Sequence, residues 1–179
     1  HRDLHRLIRR QRQMCIRDRG GKTFQVYKFR TMTARPRVPD REIIGHHPEV
    51  TRVGYWLRRF KLDELLQLVN VIKGDMSIVG PRPGLPAHFA EYDPRVMKRL
   101  AVRPGLTGLA QVNGNIHLSW PERWEFDLWY VENLSLVHDL KIIMQTCAVI
   151  LFGEERFYKG PLPLQNSNEK NEVQKDGEL

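Results

Sequence analysis

With 179 residues, a mass of 21.1 kDa and 41% apolar side chains, the chain is long enough for one ordinary domain with its own core and too apolar for global disorder. Its formal net charge of +8 raises nucleic acid or an anionic membrane surface as partners, but residues 1–19 hold seven arginines against two aspartates, a net +5 that leaves +3 for everything after them. Nucleic-acid binding thereby loses its main support, and the two cysteines, Cys15 and Cys147, provide neither a disulfide framework nor a metal-ligand spacing.

In chain order, the first stretch is HRDLHRLIRRQRQMCIRDR, in which MCIRDR (Met14 to Arg19) resembles the translation of a transposon end used in sequencing libraries. Residues 1–19 are therefore read as non-native. The alternative is a basic helical arm, with Leu4, Leu7 and Ile8 at helical spacing. KTFQVYKFRTM, Lys22 to Met32, is rich in aromatic and β-branched residues and predicts a strand. Thr33 to Pro48 carries three prolines and a glycine and predicts a loop, and the adjacent His46 and His47 within it are assigned no metal. Thr51 to Phe60 predicts a short amphipathic helix.

The next run, LDELLQLVNVIKGDMSIVGPRPG, places Leu62, Leu65, Leu66 and Val69 at i, i+3, i+4 and i+7, with Asp63, Gln67 and Asn70 in a polar stripe. This pattern predicts a buried helix that opens on Asp63 and Glu64 and ends at Gly74. Met76 to Val79 predicts a short strand, and GPRPGLP is irregular because proline neither continues a helix nor donates to a ladder. RPGLTGLAQVNG, Arg103 to Gly114, predicts turn, short strand, turn. Ser119 and Glu122 form an S-x-x-E capping box with Pro121 in the first turn, so a helix starts there. A last helix covers about Leu136 to Phe152, and a largely disordered tail follows Gly160. The longest apolar-rich run, Ile142 to Phe152, is interrupted by Gln145 and Thr146 and is too short for a bilayer core of ~30 Å.

Adjacent helical carboxylates point about 100° apart, so Asp63 and Glu64 do not flank a glycosidic bond from opposite sides as the two carboxyls of a glycosidase do. They suit a division of labour: one carboxylate attacks phosphorus, and the other holds a hard cation such as Mg²⁺. The plain structural alternative is that acidic residues in a first turn complement the helix dipole. Arg82 stands between two prolines and Arg103 precedes Pro104, so both guanidinium groups rise from restricted backbone, while Lys28 and Arg30 alternate on one face of the first strand. Each of these could be an ordinary surface cation. Together with the carboxylates they describe a site for a phosphodiester or diphosphate.

Five segments, GKTFQVYKFRTM, LDEL-x-QL-x-NV-x-KGDMS, VGPRP, RPGLTGLAQVNG and FDLWYVEN-x-SL-x-x-DLKI, occur in this order and closely resemble the bacterial sugar transferases, within them the monotopic polyprenyl-phosphate phosphoglycosyltransferases. The resemblance covers about Gly20 to Gly153. It implies a single-domain α+β fold, mostly helical with a few short strands, with residues 20–153 as catalytic domain and 154–179 as tail. It implies transfer of a sugar phosphate from a nucleotide diphosphate sugar, a UDP-sugar, to polyprenyl (undecaprenyl) phosphate, initiating exopolysaccharide, capsule, O-antigen or glycoconjugate synthesis. Asp63 is then the nucleophile and Glu64 the Mg²⁺ ligand. Lys28, Arg30, Arg82 and Arg103 contact phosphate, and Asp127 matches a further acidic position of open role. The implied setting is the cytoplasmic face of the bacterial inner membrane. The other readings are an inactive membrane-associated scaffold and a basic nucleic-acid-binding module.

Two departures from the family pattern stand out. Leu66 replaces the proline of Asp-Glu-Leu-Pro-Gln, and the arginine-rich stretch stands where the family carries an apolar membrane hairpin, so the chain is read as a fragment of the natural enzyme. Trp120, Trp124, Trp129 and Tyr130 are either interfacial aromatics or core.

Overall fold

A computed structural model describes residues 11–15, 23–33, 49–84, 92–158 and 160. The architecture is α+β and mainly helical. Strand β1 (Gln11–Cys15) pairs antiparallel with β2 (Phe24–Lys28), in a register that sets Gln11 against Lys28 and Cys15 against Phe24. The described part of the basic stretch, Gln11–Cys15, is thus extended, and Leu4, Leu7 and Ile8, on which the helical-arm alternative rests, lie outside the described residues. The predicted strand is shorter than Lys22 to Met32. It ends at Lys28, although Met32 makes an isolated bridge to Val50. Most of the predicted loop from Thr33 to Pro48, including both histidines, lies outside the described residues, as does the tail beyond Gly160.

Helix α1 (Arg52–Arg59) is capped by Thr51, whose hydroxyl accepts a hydrogen bond from the Gly54 amide at 2.9 Å. Glycine at 54 is a packing requirement, since a Cβ there would stand 2.0 Å from the Thr31 carbonyl oxygen. A 3-10 segment (Leu62–Gln67) follows and runs into α2 (Leu68–Lys73), which Gly74 ends at φ 82°. Strand β3 (Ser77–Val79) pairs parallel with β4 (Gly105–Thr107), and the long crossover that parallel pairing demands contains a second 3-10 segment (Val96–Ala101). The prediction for Arg103 to Gly114 holds for its strand. Beyond it, Leu109–Val112 forms the short helix α3 where a turn was expected.

Helix α4 (Trp120–Glu132) carries the full capping box, with the Ser119 amide donating to Glu122 Oε2 at 2.6 Å and the Ser119 hydroxyl accepting from the Glu122 amide. Helix α5 (Leu136–Phe152) is capped by Ser135. The core gathers between these elements: Val79, Val112, Tyr130 and Ile142 form one cluster, and Ala110, Leu118 and Phe126 a second. A third, Val26 with Met76, fastens β2 to the rest. Each buried Val, Leu, Ile, Phe or Met among them stabilises the fold by about 1.5–3 kcal/mol. The α4 aromatics divide, with Trp124 and Tyr130 in the core and Trp129 exposed. Among the described residues no helix is long and apolar enough to cross a membrane.

Candidate active site

The site forms where β2, the 3-10 segment and the GPRP loop meet. The Phe29 amide, just past β2, donates to the Asp63 carbonyl at 3.0 Å and ties the strand end to the dyad backbone. Lys28, the last residue of β2, lies 3.3 Å from Asp63 Oδ2 and 3.0 Å from Glu64 Oε1. Arg82 Nη2 donates to the same Glu64 Oε1 at 3.0 Å. Asp63 and Glu64 are 3% and 7% exposed. Burial works against ionisation of Glu64, but Arg82, Lys28 and Lys61 together hold its carboxyl well below the usual carboxylate range.

Entry into the 3-10 segment is set by Lys61, a non-glycine residue in the left-handed region at φ 56°. Its ammonium is ion-paired to Glu154, which also accepts from Asn115 Nδ2 at 3.1 Å. The chain following α5 therefore braces the residue that precedes the carboxylates.

The faces of this segment are the reverse of the amphipathic expectation. Asp63, Glu64, Gln67 and Asn70 are buried, whereas Leu62, Leu65, Leu68 and Val69 are exposed and Ile72 is 86% exposed. The reason is that β2 satisfies the polar side. The Tyr27 amide donates to Asn70 Oδ1 at 3.2 Å, Asn70 Nδ2 donates to the Gln25 carbonyl at 2.8 Å, and Lys28 meets both carboxylates. A polar group supplied with partners can be buried without the desolvation cost of an unpaired one. The 3-10 geometry also starts the segment, so the expected single helix begins only at Leu68, and Leu66 is accommodated within it.

The sequence-derived cations separate. Lys28 and Arg82 converge on the dyad; Arg30 makes no ion pair with it among the described residues, and the Arg103 side chain is exposed. Asp127 is buried one layer behind, 2.6 Å from Arg99 Nη2, and Arg99 in turn donates to the Arg82 carbonyl at 2.7 Å. Burial pushes the Asp127 carboxyl above its usual range, against the pull of Arg99, Arg123 and Arg82. Sequence reading missed Arg99 and Asn70. Asn70 was placed in the polar stripe, yet it is fully buried, and only its partners on β2 mark it as a joint.

Lys28 and Arg82 both use Glu64 Oε1, and among the described residues Oε2 accepts no hydrogen bond. A carboxylate oxygen left open beside a second carboxylate fits a hard cation that takes one or two protein ligands and completes its shell with water and substrate phosphate. Among the described residues no group of three or more His, Cys, Asp or Glu could hold a metal alone. Mg²⁺ thus fits here only as an ion shared with a bound diphosphate.

Comparison with known proteins decides the family: residues 5–153 match the family described as bacterial sugar transferase. The chain belongs to the bacterial sugar transferases. The transferase is 43% identical over 134 residues to the uncharacterized sugar transferase EpsL of Bacillus subtilis, covering 75% of this chain and 66% of that protein. It is 44% identical over 148 residues to the UDP-glucose:undecaprenyl-phosphate glucose-1-phosphate transferase of Caulobacter vibrioides, covering 77% and 55%. It is 38% identical over 149 residues to the undecaprenyl-phosphate galactose phosphotransferase of Salmonella typhimurium, covering 74% and 31%. The transferase therefore matches from about a third to about two thirds of the length of these relatives.

Proposed function

We propose that the transferase moves a sugar phosphate from a nucleotide diphosphate sugar to a polyprenyl phosphate through a covalent intermediate on Asp63, at the cytoplasmic face of the bacterial inner membrane. The observation that carries this reading is the buried dyad with Lys28 and Arg82 both on Glu64 Oε1 and Lys28 also within reach of Asp63. A carboxylate so placed has a fixed direction of attack and cations at hand for the charge of a diphosphate. The names of the Caulobacter and Salmonella relatives, which specify undecaprenyl phosphate as acceptor, support the acceptor class.

In the first half-reaction an Asp63 oxygen attacks the sugar-bearing phosphorus, the bond from that phosphorus to the bridging oxygen breaks, and nucleoside monophosphate leaves with the electron pair. An acyl phosphate carrying the sugar remains. In the second, an oxygen of polyprenyl phosphate attacks the same phosphorus, the acyl phosphate bond breaks, and the Asp63 carboxylate is regenerated. Lys28 and Arg82 lie where they would shift from Glu64 toward the incoming phosphates. Glu64 and the diphosphate oxygens would hold Mg²⁺, whose chemistry when bound is to neutralise diphosphate charge.

The exposed apolar side of the dyad segment supports a membrane setting. Leu62, Leu65, Leu68 and Ile72 face outward opposite the carboxylates, Trp56 and Phe60 stack at 6.0 Å on the adjoining surface, and Arg58 and Arg59 stand beside them. This is the composition of an interfacial surface. Intact mass measured after mixing the protein in lipid, without acceptor, with a panel of nucleotide diphosphate sugars tests the reading. The expected result is the gain of one sugar phosphate and release of nucleoside monophosphate. Turnover without an adduct even on rapid quenching would refute the covalent scheme.

A further inference from the structure

Arg82 reaches Glu64 with its guanidinium, but its place is decided at its backbone. Pro81 and Pro83 stiffen the chain on both sides, Pro83 holding Arg82 itself to extended backbone, so whatever anchors the Arg82 carbonyl sets how the whole turn lies. That carbonyl accepts from Arg99 Nη2 at 2.7 Å. The same Nη2 lies 2.6 Å from Asp127 Oδ2, Nη1 donates to the Tyr92 hydroxyl, and the Arg99 guanidinium sits 5.3 Å from the Tyr92 ring centroid. Arg99 and Asp127 are 4% and 2% exposed, on the second 3-10 segment and α4. Tyr92 is itself held edge-on to Trp124 at 5.2 Å and closes against Gly84, where a Cβ would stand 2.6 Å from its hydroxyl.

We propose that Arg99, clamped by Asp127, is a positioning residue for Arg82: it holds the Arg82 carbonyl so that the guanidinium is presented to the dyad and to substrate phosphate. The inference rests on the reading of Arg82 as a phosphate contact. A buried ion pair alone is weak evidence for a stabilising role, because apolar residues of similar volume often replace one without loss. Here the arginine divides its donors among a carboxylate, a carbonyl and a hydroxyl. A lysine ammonium, lacking the planar fork, does not reproduce that set.

A double-mutant cycle in the 179-residue chain, in lipid, separates positioning from simple support. Arg99→Lys is made alone and in an Arg82→Ala background, and kcat/KM is measured with the sugar nucleotide panel and polyprenyl phosphate. The expected result is a loss of roughly 10–100-fold with Arg82 present and less than about 2-fold in its absence. Equal fractional losses in both backgrounds would overturn the proposal. Should Arg99→Lys fail to fold, the apolar pair Arg99→Met with Asp127→Leu enters the same cycle. Failure of both replacements to fold would mark the pair as structural and also overturn it. A parent inactive with every sugar nucleotide would count against the proposed function instead. The Arg82 Nε–H resonance then decides: Arg99→Lys should speed its exchange with solvent, and an unchanged signal would refute positioning.

Discussion

At Glu64 two cations share one carboxylate oxygen while the other stays open, an asymmetry that suits the two roles proposed for the dyad. Asp63→Asn should abolish both covalent labelling and turnover, because a neutral amide does not form an acyl phosphate, and intact mass with the sugar nucleotide panel checks it. Glu64→Gln should retain weak labelling that improves at higher Mg²⁺. It also tests linkage. Since the native Glu64 carboxyl is held below its ordinary value of 4.5, the stability it contributes is fully present above that pH and is lost as pH falls toward the lowered native value. Urea unfolding should therefore show Glu64→Gln less stable than the parent by about 1–3 kcal/mol at pH 7. The gap should narrow by pH 3.

The segment from Leu62 to Lys73 divides by face, with carboxylates and Asn70 inward and Leu62, Leu65 and Leu68 with Ile72 outward, and the proposed function assigns catalysis to the first and membrane contact to the second. Leu65→Lys with Ile72→Glu leaves net charge unchanged and alters only exposed positions, where substitutions usually move stability within about ±0.5 kcal/mol. Sedimentation with vesicles of zwitterionic lipid should show binding to fall several-fold while the thermal melt stays in place. Asn70→Ala should do the opposite. It removes the hydrogen bonds to the Tyr27 amide and Gln25 carbonyl, for a cost of about 1–3 kcal/mol that lowers the denaturant midpoint, and the outward surface is untouched.

For the whole molecule, the site draws on chain positions far apart: Lys28 at the end of β2, the dyad, Arg82 in the crossover and, behind it, Arg99 and Asp127. Glu154, beyond α5, braces Lys61 at the entrance to the dyad. The proposed Mg²⁺ would be shared with substrate rather than structural, since among the described residues no group of three or more His, Cys, Asp or Glu could hold it. Excess chelator should accordingly suppress labelling by the sugar nucleotide and leave the melting temperature of the substrate-free protein unchanged. Full turnover in chelator would rule out the assignment of Mg²⁺ to Glu64.

Much of this was legible in the linear chain because it is local. Turn chemistry around Gly74 and the prolines, the Ser119 and Glu122 capping box, and the helical period of α5 depend on neighbours within four residues, and the ordered motifs marked the family. The dyad, Lys28 and Arg82 were named from residue type and backbone restriction. What the chain order could not convey is which side of an amphipathic segment faces inward. Hydrophobic periodicity assigns the apolar side to the core, and that holds only when the polar side has no partners inside. Tertiary folding brought β2 and its Lys28 against Asp63, Glu64 and Asn70, which made their burial tolerable and left the leucines outside. It likewise drew Arg99 and Asp127 together under Arg82 while leaving the Arg103 side chain at the surface, because a contact across 17 or 28 residues is set by packing rather than by spacing.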